Sequence, residues 1–535
     1  MLKEALHPLY EQLRISPASI ASSTAVKIVV CFIASWLLWR IWAFTVHPLV
    51  RPNAPKELPY WIPGHATAFI ADAQALIERG KAYFNDNGEP FTITCGGRKL
   101  YILTTPEDVA EVYRNNATLS WDAMLNELFV GFGVRPSVIH KIWEKLPVDV
   151  LQKGRPELDP AKVQHLSSAH STLDLYKRQL LPGPRFEKIN ETLTGYISSS
   201  LQWTPVSATY GSSEKRRIEC ISLRDFCSNI LVDAITRTLF GDGIYDIEPR
   251  MTQCISDFNE DAWMLVFNYP QGKNSKLSKA RNQLLKAFVA YIRGPKEIRR
   301  GQAWLIQTTI EEQMAMDIND EDRAALLLMI YWAANINPYK LAFWMLSYIL
   351  FDPSLLATLR TETRPAYDPT TGTIANPSHL LTACPLLDSV YNEVLRIVNG
   401  ALSARKIIAP TVIGGKTLTA PNTILIAFRQ LQYNRRIFGS DPAAFDSARF
   451  LREPSLRSSA SFRPFGGGVN YCPGRFLARQ EMLVFVALVL QRFEVTLAAS
   501  RPGQVFPELD TSTPALGINS AKAGMDLFID LEETA

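Results

Sequence analysis

Between Ala324 and Leu350 the chain is apolar around the whole circumference of any helix it could form, with only Asn335, Asn337 and Lys340 interrupting. A helix apolar on every side either spans a membrane or runs as the buried axis of a large domain. A lysine at the bilayer centre costs about 2.5–3.5 kcal/mol, and two asparagines and Pro338 sit at the midpoint as well. The segment is therefore expected to be a core axis, and the remaining chain must be large enough to wrap it. At 535 residues, 47% hydrophobic and 20% charged, it is. The net charge of +4 is too small and too dispersed to suggest a nucleic-acid partner.

A second apolar run, from Ala25 to Val46, contains only Lys27 and Arg40 as charges. About 20 residues at roughly 1.5 Å each cross a ~30 Å hydrocarbon layer. The plainer alternative is a cleaved signal peptide, but no small-residue cleavage pattern follows and the run starts late. Arg40, Arg51 and Lys56 follow the run, whereas Lys3 and Arg14 before it are offset by Glu4 and Glu11. That asymmetry orients the C-terminal mass toward the cytosol. The expected organisation is a lumenal segment over residues 1–24, a transmembrane anchor over 25–46, a proline-rich hinge over 47–64, and one large domain over 65–535. Prolines at 52, 55, 59 and 63 stiffen the hinge into an extended spacer.

Local signals place the flanking elements. Phe91 to Thr94 and Arg98 to Thr104 flank Gly96-Gly97 as a β-hairpin. Thr105-Pro106-Glu107-Asp108 is a helix start, with a cap, an early proline and acids at the positive end. Residues 120–320 are helical in pattern, with a polar loop from Ser207 to Arg217. Leu386 to Val398 forms another helix, carrying Glu393 and Arg396 one turn apart on one face.

Of the seven cysteines (31, 95, 220, 227, 254, 384 and 472), none forms a CxxC pair, which argues against a disulfide framework or a structural zinc site. Cys472 stands apart. It ends the stretch Phe465-Gly466-Gly467-Gly468-Val469-Asn470-Tyr471-Cys472, followed by Pro473-Gly474. A thiolate can ligate haem iron, and its electron donation favours O–O cleavage. Such a ligand needs a loop whose N–H groups face sulfur while a flat porphyrin lies against the backbone. Gly466 to Gly468 permit that approach. Gly474 lets the next helix pack beneath, with its positive end near the sulfur. A buried free cysteine in a glycine-rich turn is the bland alternative.

The ten-residue stretch resembles the haem-binding signature of the cytochrome P450 superfamily, and the resemblance extends over nearly the whole chain. It implies a mainly helical fold with small β-sheets behind a single N-terminal transmembrane helix. It also implies haem b, held by Cys472 as axial ligand and by Phe465, Gly466 and Gly468. Glu393 and Arg396 look like the family's ExxR pair, and Arg449 sits where the family places a third partner, closing a cluster that supports the haem loop. Ala333-Ala334-Asn335-Ile336-Asn337 looks like the oxygen-binding segment, with Asn337 and Asn335 as its catalytic groups. Pro338 opens the helix ladder there, since it cannot donate to Ala334. Ala333 and Ala334, together with Ala515 and Leu516 in the turn from Thr513 to Ile518, resemble the substrate lining.

Two departures from the family pattern stand out. Ile336 and Asn337 replace an acid followed by threonine, and Asn470 replaces the Arg or His two residues before the cysteine. Both asparagines, the Phe343-Trp344 pair and Arg405 are similar to the subgroup holding sterol 7α-hydroxylases and prostacyclin synthase. With Asn470 unable to neutralise a haem propionate, Arg405 takes that role by the family's layout; the alternative for Arg405 is a charge on a solvated strand end. The resemblance implies a monooxygenase that hydroxylates a small lipophilic substrate with O₂ and electrons from NADPH through NADPH–cytochrome P450 reductase. It implies a single-pass protein of the endoplasmic reticulum membrane with a cytosolic catalytic domain, similar in length and motifs to fungal secondary-metabolism enzymes. A reductase-independent peroxide isomerase or dehydratase stays open, as does a haem-binding protein without turnover.

Overall fold

The computed structural model describes residues 24–534, apart from 62–63, 158, 160–165, 212–215, 268, 270–271 and 273–274. The expected lumenal segment up to residue 23, with Lys3, Glu4, Glu11 and Arg14, lies outside the described residues, as does Pro63.

The apolar axis is buried, as its composition requires. It begins at Asn319, whose side chain accepts from Asp322 N at 3.1 Å, and Asp320, Glu321 and Asp322 occupy the positive end of the helix. The helix runs Asp320–Asn335, breaks at Ile336 and Asn337, and resumes as Pro338–Leu350. Ala324, Leu327, Leu328, Tyr331, Ala342 and Met345 have no exposed surface. The first half packs against Lys276–Arg293; the second packs against Leu223–Phe240, Pro385–Val398 and Arg475–Arg492. The fold is mainly helical with small sheets, as expected. The polar loop expected from Ser207 is shorter than the sequence suggested: Trp203–Tyr210 is helical, and a strand begins at Arg217.

A six-stranded sheet closes one side, in the order Lys56–Glu57, Phe91–Cys95, Arg98–Leu103, Thr423–Ala427, Leu402–Ile407, Leu119–Ser120. The expected hairpin is present, with Gly96 and Gly97 at φ +56° and +76°, values that favour glycine at both corners. Thr105 Oγ1 accepts from Asp108 N at 3.3 Å and caps Pro106–Arg114. The strand Leu402–Ile407 lies at the sheet interior and sets Arg405 opposite Ile424.

The proline-rich stretch is not an isolated spacer. The N-terminal apolar helix continues through a π-turn to Val50, four residues past its expected end at Val46. Residues 26–50 are long and apolar enough to span a bilayer, and none of that span is buried. Beyond it, Lys56–Glu57 adds a parallel edge strand to Phe91–Thr92, and Leu58 is 3% exposed. The chain stays extended because its prolines forbid helix, and Lys56–Leu58 take up backbone groups of the sheet edge. Arg40 donates to Tyr60 O, and its guanidinium lies 4.1 Å from the Trp61 ring centroid. The base of the helix is thereby pinned to the stretch it was expected to be separated from.

Deletion of residues 1–50 is expected to move the protein from the membrane pellet to the supernatant with its stability unchanged. Deletion of residues 1–58 should remove the edge strand and the Leu58 side chain, lowering unfolding free energy by about 1.5–3 kcal/mol or more. Sedimentation and denaturant melts check both. Full membrane retention of the 51–535 form would show a second attachment.

Candidate active site

The cysteine loop forms because its glycines adopt backbone that other residues would strain. Gly466 and Gly468 lie at φ +79° and +67°. A Cβ on Gly467 would stand 2.8 Å from the Tyr113 ring, and one on Gly468 2.9 Å from it. Cys472 N donates to Phe465 O at 3.2 Å, closing the loop, and Arg475–Arg492 begins directly behind Gly474. Burial raises the Cys472 thiol above its ordinary value, while the Gly474 N–H, the Arg475 guanidinium and the Arg475 N–H pull it back down. Those donors face the sulfur and favour its anionic form. Arg475 Nη1 also donates to Cys472 O at 2.8 Å.

Glu393, Arg396 and Arg449 form one cluster. Arg396 donates from Nε to Glu393 Oε2 at 2.8 Å and from Nη2 to Oε1 at 2.7 Å. Arg449 Nε reaches the same two oxygens at 3.0 and 3.1 Å. The remaining donors are not stranded: Arg396 Nη1 meets Gln432 O and Pro442 O at 3.0 and 2.6 Å, and Arg449 Nη1 meets Phe438 O at 2.7 Å. Glu393 and Arg396 have no exposed surface. A buried carboxylate held by two forked guanidiniums is stable only when its hydrogen bonds are filled in this way.

At the far end of the same helix, Asn399 Nδ2 donates to Pro464 O at 2.9 Å, which fixes the start of the cysteine loop. The adjoining segment also holds the C-terminal turn: Gly400 N donates to Gly517 O at 3.0 Å, Leu402 N to Ala515 O at 3.2 Å, and Asn519 N to Val398 O at 2.9 Å. That turn reaches the break in the axial helix, where Asn337 Oδ1 accepts from Ile518 N at 2.8 Å. Gly517 permits the approach, since a Cβ there would lie 2.0 Å from Asn337 Oδ1. The carbonyl of Asn337 is thus committed, and its Nδ2 is the group left to donate.

Asn335 is placed differently. Its Nδ2 donates to Tyr331 O at 2.9 Å, back onto its own helix, and its buried Oδ1 has no partner among the described residues. Within the buried axis, Met329, Trp332, Ala333, Ala334 and Asn337 keep exposed surface. They cluster around the break in the helix at Ile336 and Asn337. Ala515 and Leu516, in the turn bonded to Asn337, are also partly open.

Several buried polar groups point to an anionic guest. Arg405 is 7% exposed, and burial lowers its basicity. Its Nη1 donates only to Ala404 O at 2.8 Å and, weakly, to Ser403 Oγ at 3.4 Å. A solvated strand end is therefore excluded. Asn470 Nδ2, two residues before the cysteine, is buried without a partner among the described residues. A buried cation without a carboxylate partner among the described residues, together with a buried amide and a sulfur near N–H groups on the cysteine loop, fits a flat cofactor that carries acidic side chains.

A broken axial helix tied through one short segment to a glycine-lined cysteine loop, beside a buried Glu–Arg–Arg cluster, is the layout of a haem-thiolate protein. The sequence model described as Cytochrome P450 matches residues 210–519, more than half of the chain, which belongs to that family. It is 24% identical to the cytochrome P450 monooxygenase poxD of Penicillium oxalicum, over 83% of this chain and 88% of that protein. It is 28% identical to prostacyclin synthase of Bos taurus, over 88% of this chain and 92% of that one. Cholesterol 7-alpha-monooxygenase of Cricetulus griseus is 26% identical over 55% of this chain and 62% of its own length. The likeness to that subgroup, read from the two asparagines and Arg405, is thereby supported, and the chain is an oxidoreductase of the P450 monooxygenase type.

Gly517, Asn399, Trp332 and Tyr113 escaped the sequence reading. Each is an ordinary residue in its local context, and only the approach of a distant segment gives it a role. The repeated asparagines after the Glu393 helix and in the C-terminal turn were the one available signal for Asn399.

Glu393→Ala and Arg396→Ala are each expected to strand the opposite buried charge, at about 3–5 kcal/mol. Haem content and melting should fall together in both variants, while surviving holoenzyme keeps its spectrum. Cys472→Ser should abolish the long-wavelength absorbance of the reduced CO complex, because a hydroxyl is a far weaker donor to iron. Retention of that band would remove Cys472 as ligand.

Proposed function

We propose that this protein is a membrane-anchored monooxygenase that inserts oxygen into a C–H bond of a small lipophilic substrate. Electrons would come from NADPH through a separate cytochrome P450 reductase. Haem, when bound, supplies the oxygen activation. Cys472 would supply the thiolate that ligates its iron, Phe465, Gly466 and Gly468 would lie against it, and Arg405 would pair with one of its acidic side chains. Glu393, Arg396 and Arg449 hold the cysteine loop in register. Ala333, Ala334, Ala515 and Leu516 line the substrate side, where small and apolar groups leave room and offer no competing polar contact.

The observation that carries this reading is the state of Asn337. Its Oδ1 is fixed by the Ile518 N–H, so its Nδ2 is the group left to donate at the helix break. There it can hold a water by an N–H donor, the service threonine performs elsewhere in the family. Asn335 is turned onto its own helix and stands behind as support for the break. Substrates of the fungal secondary-metabolite type suit these small and apolar side chains and match the chain's likeness to fungal monooxygenases. The apolar helix at residues 26–50 supports membrane anchoring, and the charge asymmetry around it would place the domain in the cytosol, at the endoplasmic reticulum by the family's layout.

A second reading is favoured by a specific observation. Ile336, which stands where the family usually has an acid, is apolar and 7% exposed, so it offers no proton route. A peroxide isomerase, which needs neither reductase nor delivered protons, would suit that site. The chain is also similar to prostacyclin synthase.

Asn337→Ala separates the two readings. In a monooxygenase the variant should still oxidise NADPH but form severalfold less product per NADPH, with the difference appearing as hydrogen peroxide. In an isomerase it should weaken or redirect peroxide turnover measured without reductase. Unchanged coupling would remove Asn337 from the water-holding role, and no NADPH-dependent product from wild type would overturn the monooxygenase reading.

A further inference from the structure

Tyr113 lies on the helix Pro106–Arg114, far in sequence from every residue assigned above. Its ring lies flat along the cysteine loop, close enough that a Cβ on Gly467 or Gly468 would strike it. The ring is flanked by two guanidiniums, Arg405 at 5.5 Å and Arg463 at 5.6 Å from its centroid. Its hydroxyl oxygen is buried and meets no partner at full hydrogen-bond geometry among the described residues; its one weak contact is the Ser403 side chain, whose oxygen also accepts from Arg405 at 3.4 Å.

The two arginines share this lack. Arg463 Nε donates to Ala460 O at 3.0 Å, and its Nη1 lies 3.1 Å from the position a Gly467 Cβ would take. Arg405 uses one nitrogen, on Ala404 O and Ser403 Oγ. Neither guanidinium has a carboxylate partner among the described residues. Two cations and a phenolic hydroxyl converge beside a glycine loop with nothing acidic between them. Arg405 and the Tyr113 hydroxyl are buried and Arg463 is partly buried beside them; burying a cation and a hydroxyl without an acceptor is costly, so their meeting points to an anion that belongs to the site. Haem carries two carboxylates on one edge, a number that matches the two arginines.

We propose that Tyr113 and Arg463 hold a haem propionate beside Arg405, with the Tyr113 hydroxyl donating to the carboxylate and the Arg463 guanidinium pairing with it. The two residues supply what Asn470 cannot, since an amide two positions before the cysteine brings no charge. Tyr113 adds a second effect: its ring fills the space over Gly467 and Gly468 and holds the loop at the height the porphyrin requires. The inference rests on the haem-thiolate reading of Cys472. Neither residue touches reacting atoms; both are positioning residues.

The test uses holoenzyme. Tyr113→Phe keeps the ring and removes only the hydroxyl, so it is expected to lose haem to excess apomyoglobin about tenfold faster than wild type, the usual scale for a hydrogen bond to a charged group. It should also shift the propionate bending band in the resonance Raman spectrum, which loop packing alone would not move. Arg463→Gln should do the same, and decides the matter if Tyr113→Phe does not accumulate. Wild-type haem retention in the variants, or faster loss with the propionate band unmoved, overturns the proposal, because the hydroxyl then serves Ser403 or the fold. A wild type that shows no Soret band would overturn the haem-thiolate reading itself, and this inference with it.

Discussion

The Glu393 carboxylate is the point from which the catalytic half of the molecule is hung. Two guanidiniums share it, one from its own helix and one from Arg449 on a segment more than fifty residues on. Asp446 N adds a bond to Oε1 at 3.2 Å. The arginines' spare nitrogens then close onto carbonyls of residues 432–444. Replacing these partners by apolar residues could hold the same volume, but it could not satisfy those carbonyls. The chain leading into the cysteine loop is irregular, and irregular backbone must find its hydrogen bonds somewhere. Here it finds them on one buried ionic cluster.

From that cluster the order propagates through Val398–Leu402. This short segment bonds the start of the cysteine loop through Asn399, and the C-terminal turn through Gly400 and Leu402. The turn in turn fixes Asn337, and Trp344 Nε1 donates to Asn519 O at 2.8 Å from the lower half of the axial helix. The cysteine loop and the break in the axial helix are therefore held by one stretch of backbone. A displacement of the Glu393 helix is thereby passed to both. That linkage explains how a site built from segments more than a hundred residues apart can keep its geometry.

Much of this was legible locally. The all-round apolarity of 324–350 gave a buried axis, because no surface helix tolerates it. Pro338 gave the break, because it lacks an N–H. The glycine spacing before Cys472 gave a loop open to a flat ligand, and the family comparison agrees with the class that spacing implied. The proline-rich stretch misled because proline excludes helix but does not exclude an edge strand: Lys56 and Glu57 lie between Pro55 and Pro59 with their own N–H groups free to pair. Its docking against Phe91–Thr92 depends on a hairpin that local sequence does not connect to it.

What the sequence determined by itself was chemistry and class: a thiolate in a glycine loop, a carboxylate and arginine one turn apart, an amide at a proline break, an apolar run able to cross a bilayer. Each follows from residue type and spacing along one element. Tertiary structure alone decided which atoms of those residues remain available. The Asn337 carbonyl is used by Ile518, the Asn335 amide by Tyr331, and the Tyr113 hydroxyl by no described residue at full hydrogen-bond geometry. Hydrogen-bond capacity is a property of residue type, whereas its consumption depends on which distant backbone arrives, and that is settled only when the core packs.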